Sequence, residues 1–137
     1  MVETILVPTD GSRHAQRAAA HAIALAERED ATIRALYVVD TDDFGEPALS
    51  SAEILVTDEE QRGRAVLEAV ETAARKRGVP VETTCTHGKP AEAIKTHADE
   101  VEADLVVLGE RGETHDLREG TVTRKLRRDD DDRIVVV

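Results

Sequence analysis

Short apolar runs alternate along the chain with segments whose apolar positions recur every three or four residues. Ile5-Leu6-Val7 is one such run, closed by Pro8 and the Asp10-Gly11-Ser12 turn; after it Ala15, Ala18, Ala19, Ala22, Ile23 and Ala26 recur at helical spacing. This predicts a buried strand, a tight turn and an amphipathic helix. Residues 33–39 form a second apolar run, and residues 40–51, with Gly45 and Pro47, read as a long surface loop. Thr57 and Glu60 make a capping-box pattern ahead of a second helix, with Val66, Leu67, Val70, Ala73 and Ala74 inward and Gly78 and Pro80 ending it. Residues 79–84 predict a third strand, and Pro90 suits the first turn of a helix that faces Ala91, Ile94, Ala98 and Val101 inward. Residues 105–108 predict a fourth strand. A loop from Gly109 leads to Gly120-Thr121, a short helix carries Val122 and Leu126, and Ile134-Val135-Val136-Val137 predicts the last strand.

Continuously apolar strands alternating with helices imply a five-stranded parallel sheet in a three-layer α/β/α sandwich, because a strand covered on both faces has no place for polar alternation. A single domain over residues 1–137 is expected, without internal repeats. In such sheets ligands sit outside the carboxyl ends of the strands, where the strand order reverses. Attention therefore falls on residues 8–12, 38–40 and 109–121.

Composition narrows the partners. With 29 Asp and Glu against 18 Lys and Arg, the formal net charge is −11, which argues against binding nucleic acid or an anionic membrane. The cations are 14 Arg and only four Lys, and this surplus of carboxylate with scarce Lys suggests a halophilic origin, since dense charge keeps a protein hydrated where salt screens strongly. Cys85 is alone, so no intrachain disulfide forms. The start Met1-Val2-Glu3-Thr4 has no basic region, and no apolar run nears the roughly 20 residues that span a bilayer, so a cytoplasmic protein is expected.

The chemistry gathers at the predicted strand ends. Gly109-Glu110-Arg111-Gly112 follows the fourth strand, and Gly120-Thr121 opens a helix eight residues after Gly112. Glycines admit close backbone approach, and helix-start N–H groups with a Thr hydroxyl donate to phosphate oxygens; the same residues also make an ordinary turn with a Thr cap. Asp10, at the end of the first strand, lies by the crevice, or it caps the first helix, a role Ser12 also fits. The five His show no metal-ligand spacing, and only His115 falls in the glycine loop. Signatures of P-loop ATPases, dinucleotide oxidoreductases and serine hydrolases do not occur.

Three blocks, Ile5-Leu6-Val7-Pro8-Thr9-Asp10-Gly11-Ser12, Gly88-Lys89-Pro90-Ala91-Glu92-Ala93-Ile94 and Ala103-Asp104-Leu105-Val106-Val107-Leu108-Gly109-Glu110-Arg111-Gly112, resemble the universal stress protein family, and the resemblance covers essentially the whole chain. It implies a Rossmann-like α/β fold with strand order 3-2-1-4-5, usually dimeric, whose nucleotide-binding members carry Gly-x2-Gly-x9-Gly-Ser/Thr. Carried over, Gly109 and Gly112 line the phosphates and ribose, and Gly120 with Thr121 holds the phosphates. Pro8, Thr9 and Asp10 lie beside the adenine and the metal-phosphate region, Val38 meets the base and Val122 follows the phosphate turn. The implied ligand is ATP with Mg²⁺, and the implied partner a second copy paired through Ile134-Val135-Val136-Val137.

Two departures qualify the resemblance. The spacer Glu113-Thr114-His115-Asp116-Leu117-Arg118-Glu119 has seven residues where nine are usual, and residues 109–121 carry four carboxylates against Arg111 and Arg118. Carboxylates beside a triphosphate raise its binding cost unless Mg²⁺ or high salt offsets the repulsion. The run Asp129-Asp130-Asp131-Asp132 replaces an apolar link into the last strand and reads as a solvated turn, or as a site for cations. Two functions follow: a stress-response module switched by an adenine nucleotide, or a nucleotide-independent dimeric interaction protein. A slow ATP hydrolase acting through a metal near Asp10 is a third, for which the sequence names no general base.

Overall fold

The computed structural model describes residues 2–40, 49–110, 121–128 and 131–137. In chain order they form β1 (Thr4–Pro8), α1 (Arg13–Glu29), β2 (Thr32–Asp40), α2 (Leu49–Lys76), β3 (Val81–Gly88), α3 (Pro90–Glu100), β4 (Leu105–Leu108), α4 (Thr121–Arg128) and β5 (Ile134–Val136). The five strands make one parallel sheet in the order β3-β2-β1-β4-β5. Among the described residues no helix is long and apolar enough to cross a membrane.

Alternation along the strands divides the core. Ile5, Val7, Ile33, Ala35, Tyr37, Val39 and Val107 pack with the inner stripes of α1 and α2, whereas Leu6, Leu36, Val106 and Leu108 pack with Ala91, Ile94, Ala98 and Leu126 of α3 and α4. Both sheet faces are therefore covered by helices, which is why β1 and β4 tolerate no polar position at their centres. The inner stripe of α1 is mostly alanine, with Ala18 and Ala22 fully buried, so its backbone lies close to the sheet. Ser12 caps it, its Oγ accepting from the Ala15 N–H at 3.2 Å, and Asp30 ends it in the left-handed region at φ 58°.

Two boundaries differ from the sequence expectation. Helix α2 begins at Leu49, so the Thr57–Glu60 pattern lies inside it and part of the expected loop is helical. Residues 49–56 contain neither Gly nor Pro, and a Thr-x-x-Glu spacing is as compatible with a helix interior as with a helix start. Strand β3 runs on to Gly88, in register with β2 over eight pairs from Ile33↔Val81 to Asp40↔Gly88. Its second half is polar because it is an edge strand: Val81 and Cys85 pack on the α2 side, while Arg34 and Glu82, directly opposed across β2 and β3, form an ion pair.

The acidic run ahead of β5 is more than a solvated turn. Asp131 accepts from the Arg133 backbone N–H at 3.0 Å and from its guanidinium at 3.0 Å (Nε) and 2.7 Å (Nη2), and the same Nη2 lies 3.0 Å from Asp99 on α3. Asp131 is thus occupied by an arginine rather than placed for a cation; Asp129 and Asp130 lie outside the described residues. The Arg133 hydrogen bonds hold the Asp131 carboxyl down at about 2, against an ordinary 3.8. Because the folded value is depressed, this latch stabilises the protein above pH 3.8 and its contribution is lost as pH falls toward about 2. Unfolding free energies from urea titrations across that window are expected to fall less in Asp131→Asn than in the parent, by ~1 kcal/mol as for a well-formed but partly exposed pair.

Candidate functional site

Neighbouring strands β1 and β4 pair through Ile5↔Leu105 and Leu6↔Val106, yet the chain leaves them in opposite directions along the sheet, toward β2 and toward β5. The crossovers therefore diverge and leave a crevice outside the carboxyl ends of β1 and β4, the position at which open α/β sheets bind ligands. Around it the fold gathers Pro8, Thr9 and Asp10 from the end of β1, Val38 from β2, Gly109 from the end of β4 and Val122 from the first turn of α4.

The turn after β1 is fixed by its own side chains. Thr9 is buried; its N–H donates to the Leu36 carbonyl at 2.8 Å, and its Oγ1 accepts from the Gly11 N–H at 3.2 Å. Asp10 Oδ1 accepts from the Ser12 N–H at 2.9 Å, so Asp10 shapes the turn while Ser12 caps α1. Gly11 sits at φ 82°, where a Cβ would meet Val66 Cγ2 of α2 at 2.8 Å, so both the backbone and the neighbouring helix require glycine. The Gly11 carbonyl is in turn held by the Gln16 side-chain amide at 3.0 Å. The result is a short turn fixed by its own hydrogen bonds, with half-buried Asp10 at the carboxyl end of β1.

On the other wall, Gly109 lies against the first turn of α1: a Cβ there would meet the His14 carbonyl carbon at 2.7 Å and its oxygen at 2.8 Å. The Gly109 carbonyl accepts from the buried Thr123 hydroxyl of α4 at 2.8 Å, which ties the start of the glycine loop to the helix at its end. Half-buried Val38 and Val122 both pack on the cluster that includes Leu6, Leu36, Leu108 and Leu126, so the crevice has apolar surface on its α3/α4 side. Gly112, Gly120 and His115 lie outside the described residues, and Thr121 is described only as the first residue of α4.

Several contributors carry no motif. Tyr37 is 4 % exposed and its hydroxyl donates to Glu59 Oε2 of α2 at 2.8 Å; burial first, and the Glu59 carboxylate second, push its phenol well above the usual range. Its only signal in the sequence is that it is the single Tyr, in an otherwise aliphatic run. Thr123, which no motif marks, is buried, and the Gly109 carbonyl satisfies its hydroxyl. Farther along the β3 edge, the His87 ring lies 2.8 Å from Glu60, and partial burial raises the Cys85 thiol above its usual range.

The family model described as "Universal stress protein family" matches residues 1–129. A universal stress protein from Methanocaldococcus jannaschii is 38 % identical over 115 residues, covering 83 % of this chain and 68 % of its own. A solved protein of the same family from Burkholderia pseudomallei superposes with a TM-score of 0.82 at 28 % identity, over 99 % of this chain and 96 % of that one. Another universal stress protein, solved in complex with cAMP, superposes with a TM-score of 0.76 at 26 % identity, over 99 % of this chain and 97 % of its own. Sequence blocks, strand order and these likenesses agree: the chain belongs to the universal stress protein family.

Proposed function

We propose that this protein binds an adenine nucleotide, ATP with Mg²⁺, in the crevice outside β1 and β4, and that it acts as a dimeric regulatory module of the stress response. The observation that carries the reading is the meeting, at one switch point, of the rigid Asp10 turn, the close-packed Gly109 and the apolar surface of Val38 and Val122. A relative 26 % identical to this chain was crystallised with cAMP, which supports an adenine nucleotide as the ligand class. Val38 and Val122 offer the base an apolar seat. Pro8 and Thr9 form the adjoining wall, and Asp10 reaches toward the Mg²⁺ and phosphates. Gly112, Gly120 and Thr121 supply backbone and hydroxyl donors to the phosphate chain, in a single domain of 137 residues adapted to a salty cytoplasm.

The second copy pairs through β5. That strand ends the sheet, its three residues are half-buried, and an apolar edge is a template for another strand. A nucleotide-independent dimer is the competing reading, favoured by the seven-residue acidic spacer from Glu113 to Glu119.

Calorimetric titration with Mg-ATP in molar KCl, combined with light scattering on the same sample, separates the two. The expected outcome is saturable binding that is lost in Gly120→Asp, with a native mass twice 14.9 kDa. Absence of binding to the parent protein overturns the nucleotide reading, and a mass of 14.9 kDa overturns the dimer.

A further inference from the structure

We propose that Tyr37 and Glu59 are positioning residues for the nucleotide site, clamping helix α2 against the turn that carries Asp10. The proposal rests on the nucleotide reading above and adds to it two residues that no motif marks.

Helix α2 meets β2 and the turn after β1 at two places, four and seven residues along from Glu59. Gly63 lies on the Tyr37 ring so closely that a Cβ would be 2.6 Å from Cδ1, and Val66 lies over Gly11 so closely that a Cβ there would be 2.8 Å from Cγ2. On the preceding turn of α2 the Tyr37 hydroxyl donates to Glu59 Oε2 at 2.8 Å, with Arg62 3.8 Å from the other carboxylate oxygen. The Gly63 and Val66 contacts are apolar and resist sliding weakly; the phenol–carboxylate bond, with the His87–Glu60 contact at 2.8 Å beside it on β3, fixes the height of α2 along the sheet. Tyr37 is also joined to the turn from below, since the preceding residue, Leu36, accepts the Thr9 N–H at 2.8 Å. The Tyr37 side chain thus joins α2 to the strand whose adjacent backbone carbonyl holds the turn. The Asp10 carboxylate is near enough for its charge to act on the phenol, but the phenol proton is directed to Glu59. Asp10 is thereby left to its bond with the Ser12 N–H and to the crevice.

Removing the hydroxyl while keeping the ring isolates this bond. Tyr37→Phe and Glu59→Ala are each expected to lower affinity for Mg-ATP or cAMP about tenfold, the size of one hydrogen bond to a charged acceptor. Both are expected to speed amide exchange at Gly11 and Ser12 by about as much in the nucleotide-free protein, while Ile33 and Ala35 exchange as before. The double variant should lose no more than either single one, and Glu59→Gln, which retains an acceptor, should regain most of the affinity. A bond that merely stabilises the fold lowers the melting temperature and moves neither affinity nor exchange at the turn; that result overturns the proposal. If the parent protein binds neither nucleotide, the functional reading fails, and unchanged exchange at Gly11 and Ser12 in Tyr37→Phe then overturns the clamp separately. Should Tyr37→Phe not fold, Glu59→Ala carries the same test.

Discussion

Replacing Gly109 with Ala is expected to lower the melting temperature by roughly 5–10 °C, because the added methyl has only main chain to push against. A Cβ at this position lies 2.7 Å from the His14 carbonyl carbon, 2.8 Å from its oxygen and 3.0 Å from the Ala15 nitrogen. None of these atoms ends a flexible side chain that might swing aside. They belong to the first turn of α1, which the Ser12 cap and the Gln16–Gly11 contact hold in place. Relief must come from separating the end of β4 from α1, and that strains the Thr123–Gly109 bond and the fit of Leu108 in its cluster. Overpacking of this kind costs about 1–3 kcal/mol. Gly78→Ala is the control: it sits at φ 70° with nothing within 4 Å of a Cβ, so it meets only the left-handed backbone penalty of about 1 kcal/mol. Thermal unfolding followed by circular dichroism in molar KCl compares the two, and a Gly109→Ala protein that melts with the parent refutes the close approach. The outcome also bears on function. The family resemblance gives Gly109 a place beside phosphate and ribose, but its packing alone accounts for a glycine. Loss of nucleotide binding in Gly109→Ala is therefore no evidence of a direct contact, whereas Gly120→Asp is the cleaner probe.

The layers of this fold were legible because burial on both faces leaves a plain imprint: Ile5-Leu6-Val7 and residues 105–108 have no polar position, and the alanine stripe of α1 repeats without a break. The carboxyl-end rule then pointed to residues 8–12 and to Gly109, which the structure does bring together across paired strands. Legibility failed where local pattern and tertiary context carry different information. Thr57 and Glu60 have the spacing of a helix start, yet the residues before them are as able to be helical as those after. The second half of β3 consists of Thr, Cys, His and Gly, and only its eight-pair ladder with β2 shows it to be strand. In the acidic run, nothing local distinguishes Asp131 from its neighbours; the distinction comes from Arg133, which turns back on it and reaches Asp99 as well. Contacts between distant segments, such as Tyr37 with Glu59 or Thr123 with Gly109, leave no periodic trace at all.

Gly63→Ala sets two known effects against each other, and their magnitudes decide the sign. Inside a helix, Ala is preferred over Gly by about 1 kcal/mol, so on an exposed face of α2 this change would stabilise. Gly63 is buried, however, and its Cβ would lie 2.6 Å from Tyr37 Cδ1 and 3.0 Å from both Cε1 and Cγ, about 1 Å inside ordinary contact. The ring cannot turn away freely, since Tyr37 is 4 % exposed and its hydroxyl is bonded to Glu59, one turn earlier on the same helix. Helix and ring are therefore pinned to each other, and the methyl must lift α2 off the sheet, stretching the phenol–carboxylate bond as it does so. With overpacking at about 1–3 kcal/mol and a bond to a charged acceptor worth about 1.5 kcal/mol or more, the clash outweighs the propensity gain. Gly63→Ala should melt roughly 3–8 °C below the parent. In a Tyr37→Leu background the ring is gone, and the same substitution should become neutral or stabilising. A Gly63→Ala protein that melts above the parent would mean that α2 rides free of Tyr37, and the seat of the Asp10 turn would then have to be sought in the Gly11–Val66 contact alone.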